Sequence, residues 1–597
     1  MKAKLEKLVA DAVASDPALA AAAAGLDVAV SIERTRDAAH GDFATNVAMR
    51  LAKPARRNPR EIAGRVIAAL ADDAAVASVE IAGPGFINFR LSPAAYHAEV
   101  AAILAAGAEY GRHPARSGPK VLLEFVSANP TGPLHVGHGR LAAYGATVGN
   151  LLEAAGYPVT REYYVNDAGR QMDILGASVW LRRLERNGIE IPFPRAGYRG
   201  DYIREIAASI DTGGLAEPSR EDVLAGLPED GPKDAPGDTA DARTANRARR
   251  EAYVEAVIEQ AKRLLGEDGF DRVRQQSLES ILDDIRDDLA EFGVVYDNWY
   301  SEQSLTKSDR IDAALDVLRE RGILYEKDGA TWFPATRYGD EKDRVVVREN
   351  GVKTYFASDI AYHFDKRQRG FEYLVDILGA DHHGYVTRVR AGLEAMGYEG
   401  SSLEVQLVQF VTLYRGGEKM QMSTRSGEFD TLRQLRAEVG NDAARLFYVL
   451  RSNDQHLDFD LDVAKSQSND NPVYYIQYAH ARIASVFRQL GEKGHAFDAA
   501  AGLANLGAVT EPQAKPLLTS LSRYPEVLEL AANNRAPQHL VHYLRELAND
   551  FHSWYNAEVF LVDDATLRNA RLALCRATQV VVANGLGILG VSAPESM

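Results

Sequence analysis

The chain has 597 residues, 46% of them hydrophobic and 25% charged, with a net charge of −16 and a single cysteine. That length exceeds one hydrophobic core, so about three or four domains are expected. Cys575 alone excludes an internal disulfide framework and any Cys-based zinc site, and its apolar helical setting (Leu572-Ala-Leu-Cys) suits a packed thiol rather than a nucleophile. No continuous apolar stretch is long enough to span a bilayer, and Met1-Lys-Ala-Lys-Leu-Glu lacks a secretory core, so a cytoplasmic protein with no membrane partner is expected. The acidic balance argues against nucleic acid but does not exclude it, because one basic face suffices.

In chain order, an Ala-rich helical opening leads to Gly41-Asp-Phe-Ala-Thr-Asn-Val-Ala, a strand at Ser78-Val-Glu-Ile-Ala and a second at Phe86-Ile-Asn-Phe-Arg-Leu after the Gly83-Pro-Gly turn. Residues 1–112 thus form a small α+β domain. The apolar run Val121 to Val126 has the length of a strand and stops at a Pro/Gly turn. Two histidines flank a glycine there, and a helix follows from Gly139. The stretch Asp211 to Asp241, rich in Gly, Pro and Asp, is expected to be a mobile surface insertion. Helical patterns run from about Thr244 to Phe292. Trp332-Phe-Pro opens a β-rich return with strands at Val345-Val-Val, Thr354-Tyr-Phe and the continuously apolar Tyr373-Leu-Val-Asp-Ile-Leu. The α/β unit covers residues 113–440, with an insertion at about 185–345, and helical periodicity over 441–597 predicts a separate bundle.

Two loops carry chemistry. His135-Val-Gly137-His138 sits between a strand and a helix, where free backbone N–H groups favour a phosphate and imidazoles can hydrogen-bond triphosphate oxygens. Gly137 would let a nucleotide approach the backbone. Metal ligation or a structural role is open to the histidines alone, but ligands in open α/β sheets bind at the carboxyl ends of strands. There is no Walker loop and no G-x-G-x-x-G fingerprint after a strand. The second loop, Arg415-Gly-Gly-Glu-Lys-Met-Gln-Met-Ser-Thr-Arg-Ser-Gly427, could close on a triphosphate and neutralise charge as pyrophosphate leaves. In isolation it reads first as a solvated hairpin tip with basic residues.

Together the loops resemble the two signatures of class I aminoacyl-tRNA synthetases. Phe125-Val-Ser-Ala-Asn-Pro-Thr-Gly-Pro-Leu-His-Val-Gly-His, Tyr163-Tyr-Val-Asn-Asp-Ala-Gly-Arg-Gln, Gly339-Asp-Glu-Lys-Asp-Arg-Val-Val-Val-Arg, Thr354-Tyr-Phe-Ala-Ser-Asp-Ile-Ala-Tyr and Arg451-Ser-Asn-Asp-Gln-His-Leu-Asp-Phe-Asp are similar to arginyl-tRNA synthetases. The resemblance runs from about Gly41 to the C-terminus. It implies a Rossmann-like parallel-sheet catalytic core with an N-terminal α+β domain that meets the tRNA elbow and a C-terminal all-α bundle that meets the anticodon. The implied reaction joins L-arginine to tRNA(Arg) through an arginyl-adenylate, with Mg2+-ATP as substrate, no tightly bound metal, and activation that waits for tRNA. A monomer is expected.

The resemblance also implies residue roles. His135, Gly137 and His138 with Lys419, Met422, Ser423 and Arg425 would serve catalysis, and Asp381 and His382 would help line the ATP site. Glu124 and Asp359 would take the guanidinium, Tyr355 would shape the pocket, and Asn129 would hold the α-amino end. A guanidinium is planar, always charged and forked, so its pocket needs fixed carboxylates, and a wrong side chain that leaves them unpaired is rejected by a factor on the order of 10⁴. Phe86 and Asn88 would meet the tRNA elbow, although alternation makes Phe86 and Phe89 equally good core residues. Tyr474, Tyr478 and Tyr555 are tRNA candidates on a stripe that helical spacing assigns mostly to core. One departure stands out: Gln421 and Thr424 occupy the two lysine positions of the family's Lys-Met-Ser-Lys, leaving Arg425 and Lys419 as the available cations. A cysteine- or glutamate-specific class I enzyme is disfavoured by the missing Cys/His zinc spacing. A small-molecule nucleotidyltransferase would not need the helical C-terminal domain, and a catalytically dead tRNA-binding relative would not need the intact histidines.

Overall fold

The computed structural model describes residues 1–24, 30–35, 37–115, 118–211, 213–215, 217–420 and 431–597. Four antiparallel strands, β1 (Glu33–Arg34), β2 (Phe43–Thr45), β3 (Val76–Ala82) and β4 (Phe86–Leu91), form an N-terminal sheet in the order β1-β2-β4-β3. Along β4, Ile87, Phe89 and Leu91 are buried against the flanking helices, which leaves Phe86, Asn88 and Arg90 on the opposite face. This unit docks on the C-terminal bundle. Arg34 forks onto the Glu526 carboxylate at 2.7 and 3.1 Å and donates to the Ser522 carbonyl.

The second unit is an all-parallel sheet built from β5 (Val121–Phe125), β6 (Val159–Val165) and β7 (Asn298–Ser301), completed later in the chain. Between lies a small antiparallel sheet, β8 (Tyr325–Lys327), β9 (Ala330–Phe333) and β10 (Arg344–Val347). Strands β11 (Tyr373–Gly379) and β12 (Leu403–Val408) then join the core sheet, whose order is β12-β11-β5-β6-β7. Every residue of β5 is buried, as a central parallel strand covered by helices on both faces requires.

Four local expectations change. Thr354-Tyr-Phe is a helix start, not a strand: the Thr354 hydroxyl accepts the Ala357 N–H and the helix Tyr355–Gln368 follows. The described residues around Asp211 to Asp241 are folded against the protein. Ser219 and Asp222 form a reciprocal cap on the short helix Arg220–Leu224, and Val223 is buried. The bundle begins later than residue 441, because β13 (Val411–Arg415), extended by β14 (Glu418–Lys419), pairs in parallel with β15 (Leu457–Asp460). Its long helices are Pro472–Glu492, Ala514–Asn534, Pro537–Ala557 and Ala565–Leu589. The last of these is long and apolar enough by composition to cross a membrane, yet 72% of its most apolar window is buried inside the protein. It is the central core helix, and burial pushes up the pKa of its Cys575 thiol.

The helix Val136–Ala154 joins these parts. Tyr144 donates to the Arg535 carbonyl at 2.7 Å, Asn150 to the Ile588 carbonyl at 2.8 Å, and buried Arg140 to the carbonyls of Gln409, Ser452 and Gln455. It packs on β5 without a gap, since a Cβ on Gly145 would lie 2.3 Å from the Phe125 ring. We expect Gly145→Ala to destabilise the protein by on the order of 1–3 kcal/mol through overpacking, read as a lowered midpoint in chemical denaturation. An unchanged midpoint would contradict this packing.

Candidate active site

The carboxyl end of β5 is where the backbone is most distorted. Val126 (φ 66°) and Ser127 (φ 40°) are consecutive non-glycine residues in the left-handed region, a conformation that a β-branched valine adopts only under constraint. The constraint is visible: the Ser127 hydroxyl accepts the Tyr164 N–H and donates to Glu124 Oε1, both at 3.1 Å. The turn carries the chain to Asn129, an exposed residue whose Oδ1 accepts from Asn166 at the end of β6 at 2.8 Å.

His135 caps the helix Val136–Ala154. Its Nδ1 accepts the N–H groups of Gly137 (3.0 Å) and His138 (3.3 Å), while His138 Nδ1 accepts the His135 N–H at 3.2 Å. The rings stack with centroids 3.5 Å apart. Because each Nδ1 accepts, each neutral ring carries its hydrogen on Nε2 and presents it as a donor. Burial above all lowers the His138 pKa to about 3, so this ring is neutral at physiological pH. Gly137 has a nearer purpose than nucleotide approach: a Cβ there would sit 2.9 Å from the His135 ring and break the cap.

The second loop is anchored beside these histidines. Lys419 lies exposed on β14, and Met420 donates to the Leu413 carbonyl. Beyond the loop, Thr431 bridges to His135 and Leu432 donates to the Leu134 carbonyl at 2.8 Å. Met422, Ser423 and Arg425, with Gln421 and Thr424, lie outside the described residues. Asp381 and His382 are exposed on a short turn that follows β11, level with the histidine cap at the carboxyl edge of the sheet.

The helix Tyr355–Gln368 supplies the third wall. Asp359 accepts from the Tyr385 hydroxyl at 3.3 Å, and burial raises its carboxyl to about 6. Tyr355 stands outside this wall with 81% exposure. Glu124 differs from expectation: both of its oxygens are already engaged, Oε1 by Ser127 and Oε2 by Tyr362 (2.8 Å) and Lys366 (2.6 Å). It is therefore not an open half of a guanidinium clamp.

A different acid has the open valence. Glu302, only 7% exposed, follows β7, and its Oε2 has no hydrogen-bond partner among the described residues. Burial first, with Asp167 and Asp359 adding like charge, raises its carboxyl to about 7. Burial and the charges of Glu302, Asp359 and Glu124 together raise the Tyr164 phenol, so three carboxylates surround one hydroxyl. Acids held up by burial and by one another gain from a cation placed between them. Nothing in Tyr300-Ser-Glu302 distinguishes this acid in the sequence; only the fold brings it beside Asp359.

Two surfaces are remote from this pocket. On the N-terminal sheet, Phe86 is 39% exposed, and the Asn88 amide has no hydrogen bond among the described residues, while Phe89 belongs to the core. On the bundle, Tyr474, Tyr478 and Tyr555 are half-buried rather than core. The Arg482 guanidinium lies 4.3 Å from the Tyr478 ring and 4.7 Å from the Tyr555 ring, and Tyr474 stacks on Tyr478.

Comparison with known proteins places the whole chain. Residues 3–91 match the family described as the arginyl tRNA synthetase N terminal domain, residues 99–195 and 245–466 the class I (R) tRNA synthetase catalytic domain, and residues 476–597 the DALR anticodon binding domain. An arginine–tRNA ligase of Thioalkalivibrio sulfidiphilus is 58% identical over 96% of this chain and 95% of its own length. One from Legionella pneumophila is 53% identical over the full length of both. The solved arginyl-tRNA synthetase of Thermus thermophilus shares the fold, with a TM-score of 0.73 over 100% of both chains at 23% identity. The three matched regions, in family order around one parallel-sheet core, make this chain a member of the arginyl-tRNA synthetases, in class I.

Proposed function

We propose that the chain ligates L-arginine to tRNA(Arg), with Mg2+-ATP as co-substrate. The observation that carries the arginine assignment is Glu302, buried with its Oε2 unpartnered among the described residues and its carboxyl raised in part by neighbouring Asp359, on the same sheet edge as the His135–His138 cap. In the first step the arginine carboxylate attacks the α-phosphate in line. A carboxylate–phosphorus bond forms, the bond to the leaving oxygen breaks, and pyrophosphate departs. The Nε2–H groups of His135 and His138 donate to phosphate oxygens as charge builds, with Lys419 and Arg425 as cations of the second loop, and Met422 and Ser423 as its framework. Asp381 and His382 line the nucleotide side. In the second step the terminal ribose hydroxyl of tRNA attacks the acyl carbonyl and AMP leaves.

The guanidinium forks onto Asp359 and Glu302, Asn129 and the Ser127 edge of Glu124 take the α-amino end, and Tyr355 closes over the rim. Phe86 and Asn88 take an unstacked base of the tRNA elbow, and the Tyr474, Tyr478, Tyr555 and Arg482 group takes bases of the anticodon loop by stacking. Activation waits for tRNA, and the enzyme works as a monomer in the cytoplasm.

Aminoacylation of total tRNA with each amino acid tests the assignment, with ATP–pyrophosphate exchange run with and without tRNA. Charging is expected with arginine alone, and charging by another amino acid would overturn it; exchange at full rate without tRNA would remove the coupling. Replacing Glu302 by Gln is expected to raise the arginine KM roughly 10- to 100-fold, the value of a charge-assisted hydrogen bond, with the ATP KM unchanged. Because the acids at about 6 and about 7 bind the substrate cation only when ionised, arginine affinity is present above pH 7 and lost as pH falls through both values. In Glu302→Gln the upper step should vanish from the pH profile of kcat/KM for arginine; its persistence would reassign it. Arg482→Ala should weaken tRNA binding in a gel shift about tenfold while leaving the arginine KM in place.

A further inference from the structure

Beneath the pocket, a row of polar residues crosses the sheet at one level. Asp376 on β11 is paired in register with Glu124 on β5, Glu124 with Glu162 on β6, and Glu162 with Asn298 on β7. Residues in register on neighbouring parallel strands point to the same face, so three carboxylates stand side by side in the interior. Asp376 and Glu162 are 2% and 0% exposed. Such a row is unstable without cations.

One helix supplies them. From Tyr355–Gln368 and the residue that ends it, Lys366 reaches Glu124 at 2.6 Å and Asp376 at 2.9 Å, and Arg369 forks onto Glu162. His363 Nε2 meets Asp376 at 2.8 Å, and the Tyr362 hydroxyl lies 2.8 Å from both Glu124 and Glu162. That hydroxyl has one hydrogen for two carboxylates, so it cannot neutralise either. Lys366 is the only ammonium or guanidinium that touches Glu124 among the described residues, and it is 0% exposed. The same helix bears Asp359 one turn from its start, so the clamp that fixes Glu124 also fixes Asp359.

We propose that Lys366 is a positioning residue for amino-acid recognition: a resident cation under the pocket that holds Glu124 in one rotamer and turns the substrate guanidinium away from Glu124 toward Asp359 and Glu302. This rests on the arginine pocket proposed above. Two cations cannot share one side of a buried carboxylate, and Oε2 is already taken. The acid in the most apolar strand is thereby withdrawn from competition with the acids that choose the side chain.

The test is ATP–pyrophosphate exchange with arginine and tRNA by the wild-type enzyme, Lys366→Met and Lys366→Arg. Lys366→Met is expected to raise the arginine KM about tenfold or more with the ATP KM at the wild-type value, because only the amino-acid wall moves, and Lys366→Arg should recover part of it. Should Lys366→Met fail to fold, Lys366→Met/Asp376→Asn leaves the net charge of the cluster unchanged, and the same selective rise in arginine KM is expected there. A folded Lys366 variant with wild-type KM values, or one in which both KM values move together, would overturn the proposal and leave Lys366 a structural group. Absence of arginine-dependent exchange in the wild type would instead defeat the pocket assignment itself.

Discussion

The row of Asp376, Glu124 and Glu162 across the sheet, and the helix that neutralises it, set the geometry on which the pocket depends. Three adjacent carboxylates in a dry interior repel one another and lose hydration, and each effect amounts to several kcal/mol at short range in a low dielectric. Burial alone would raise Asp376 and Glu162. Instead, Asp376 and Glu162 are held below the ordinary carboxylate range, because the charges of Lys366 and His363 on one and of Arg369 on the other outweigh burial. Lys366 is held above the usual lysine value in return: burial opposes its charge, but Asp376, Glu124 and Glu162 outweigh that. The helix Tyr355–Gln368 therefore cannot slide or rotate on the sheet without separating buried charges. Its first turn, with Asp359, is delivered to the site by interactions at its other end.

That rigidity explains a contrast between two neighbouring sets of acids. Those of the row are paired with cations; Glu302 keeps an oxygen without a partner among the described residues, Asp359 has only the Tyr385 hydroxyl at 3.3 Å, and the two are held at about 7 and about 6. A folded pKa above the unfolded one means the group gives stability that is fully present below the unfolded pKa and lost as pH rises through the folded pKa. At neutral pH the two pocket acids are thus a cost to the fold, one that a bound guanidinium would offset. Specificity of this kind needs carboxylates kept dry and unpaired, and only a frame stable for other reasons tolerates them.

The sequence made the first half of this architecture legible. An apolar run of strand length, a Pro/Gly turn and His-x-Gly-His before a helix are local patterns, and Glu124 stood out because an acid inside such a strand must have a purpose. What that purpose is depended on residue 366, more than two hundred positions away, whose partner no local pattern identifies. Glu302 was hidden for the same reason, since Asp359 becomes its neighbour only through the sheet order. Thr354-Tyr-Phe misled because three β-prone residues outweighed a capping threonine whose helix lay ahead. The boundary near 441 misled because the helices Leu432–Val439 and Asn441–Tyr448 are periodic like those of the bundle, while β15 returns the chain to β13.

The helix that begins at His135 carries the argument beyond the pocket. Its first turn presents the imidazoles, its buried face is moulded to Phe125, and its outer side is hydrogen-bonded to the bundle at Arg535 and Ile588. Arg445, buried between units, donates to carbonyls of both Phe292 and Leu589, which ties the catalytic insertion to the last helix. Arg34 ties the N-terminal sheet to the same bundle. Apart from the Arg34–Glu526 ion pair, these joints are side-chain donors on backbone carbonyls, groups that cost heavily when left unpaired in the interior. These directional bonds add to one apolar core that the histidine helix shares with the bundle, where Tyr144, Val148 and Leu151 are buried in the same cluster as Leu517, Leu521 and Leu586. The capping geometry in which the Nδ1 atoms of His135 and His138 accept backbone N–H groups thus opens a helix that is itself fixed to the bundle through Tyr144 and Asn150.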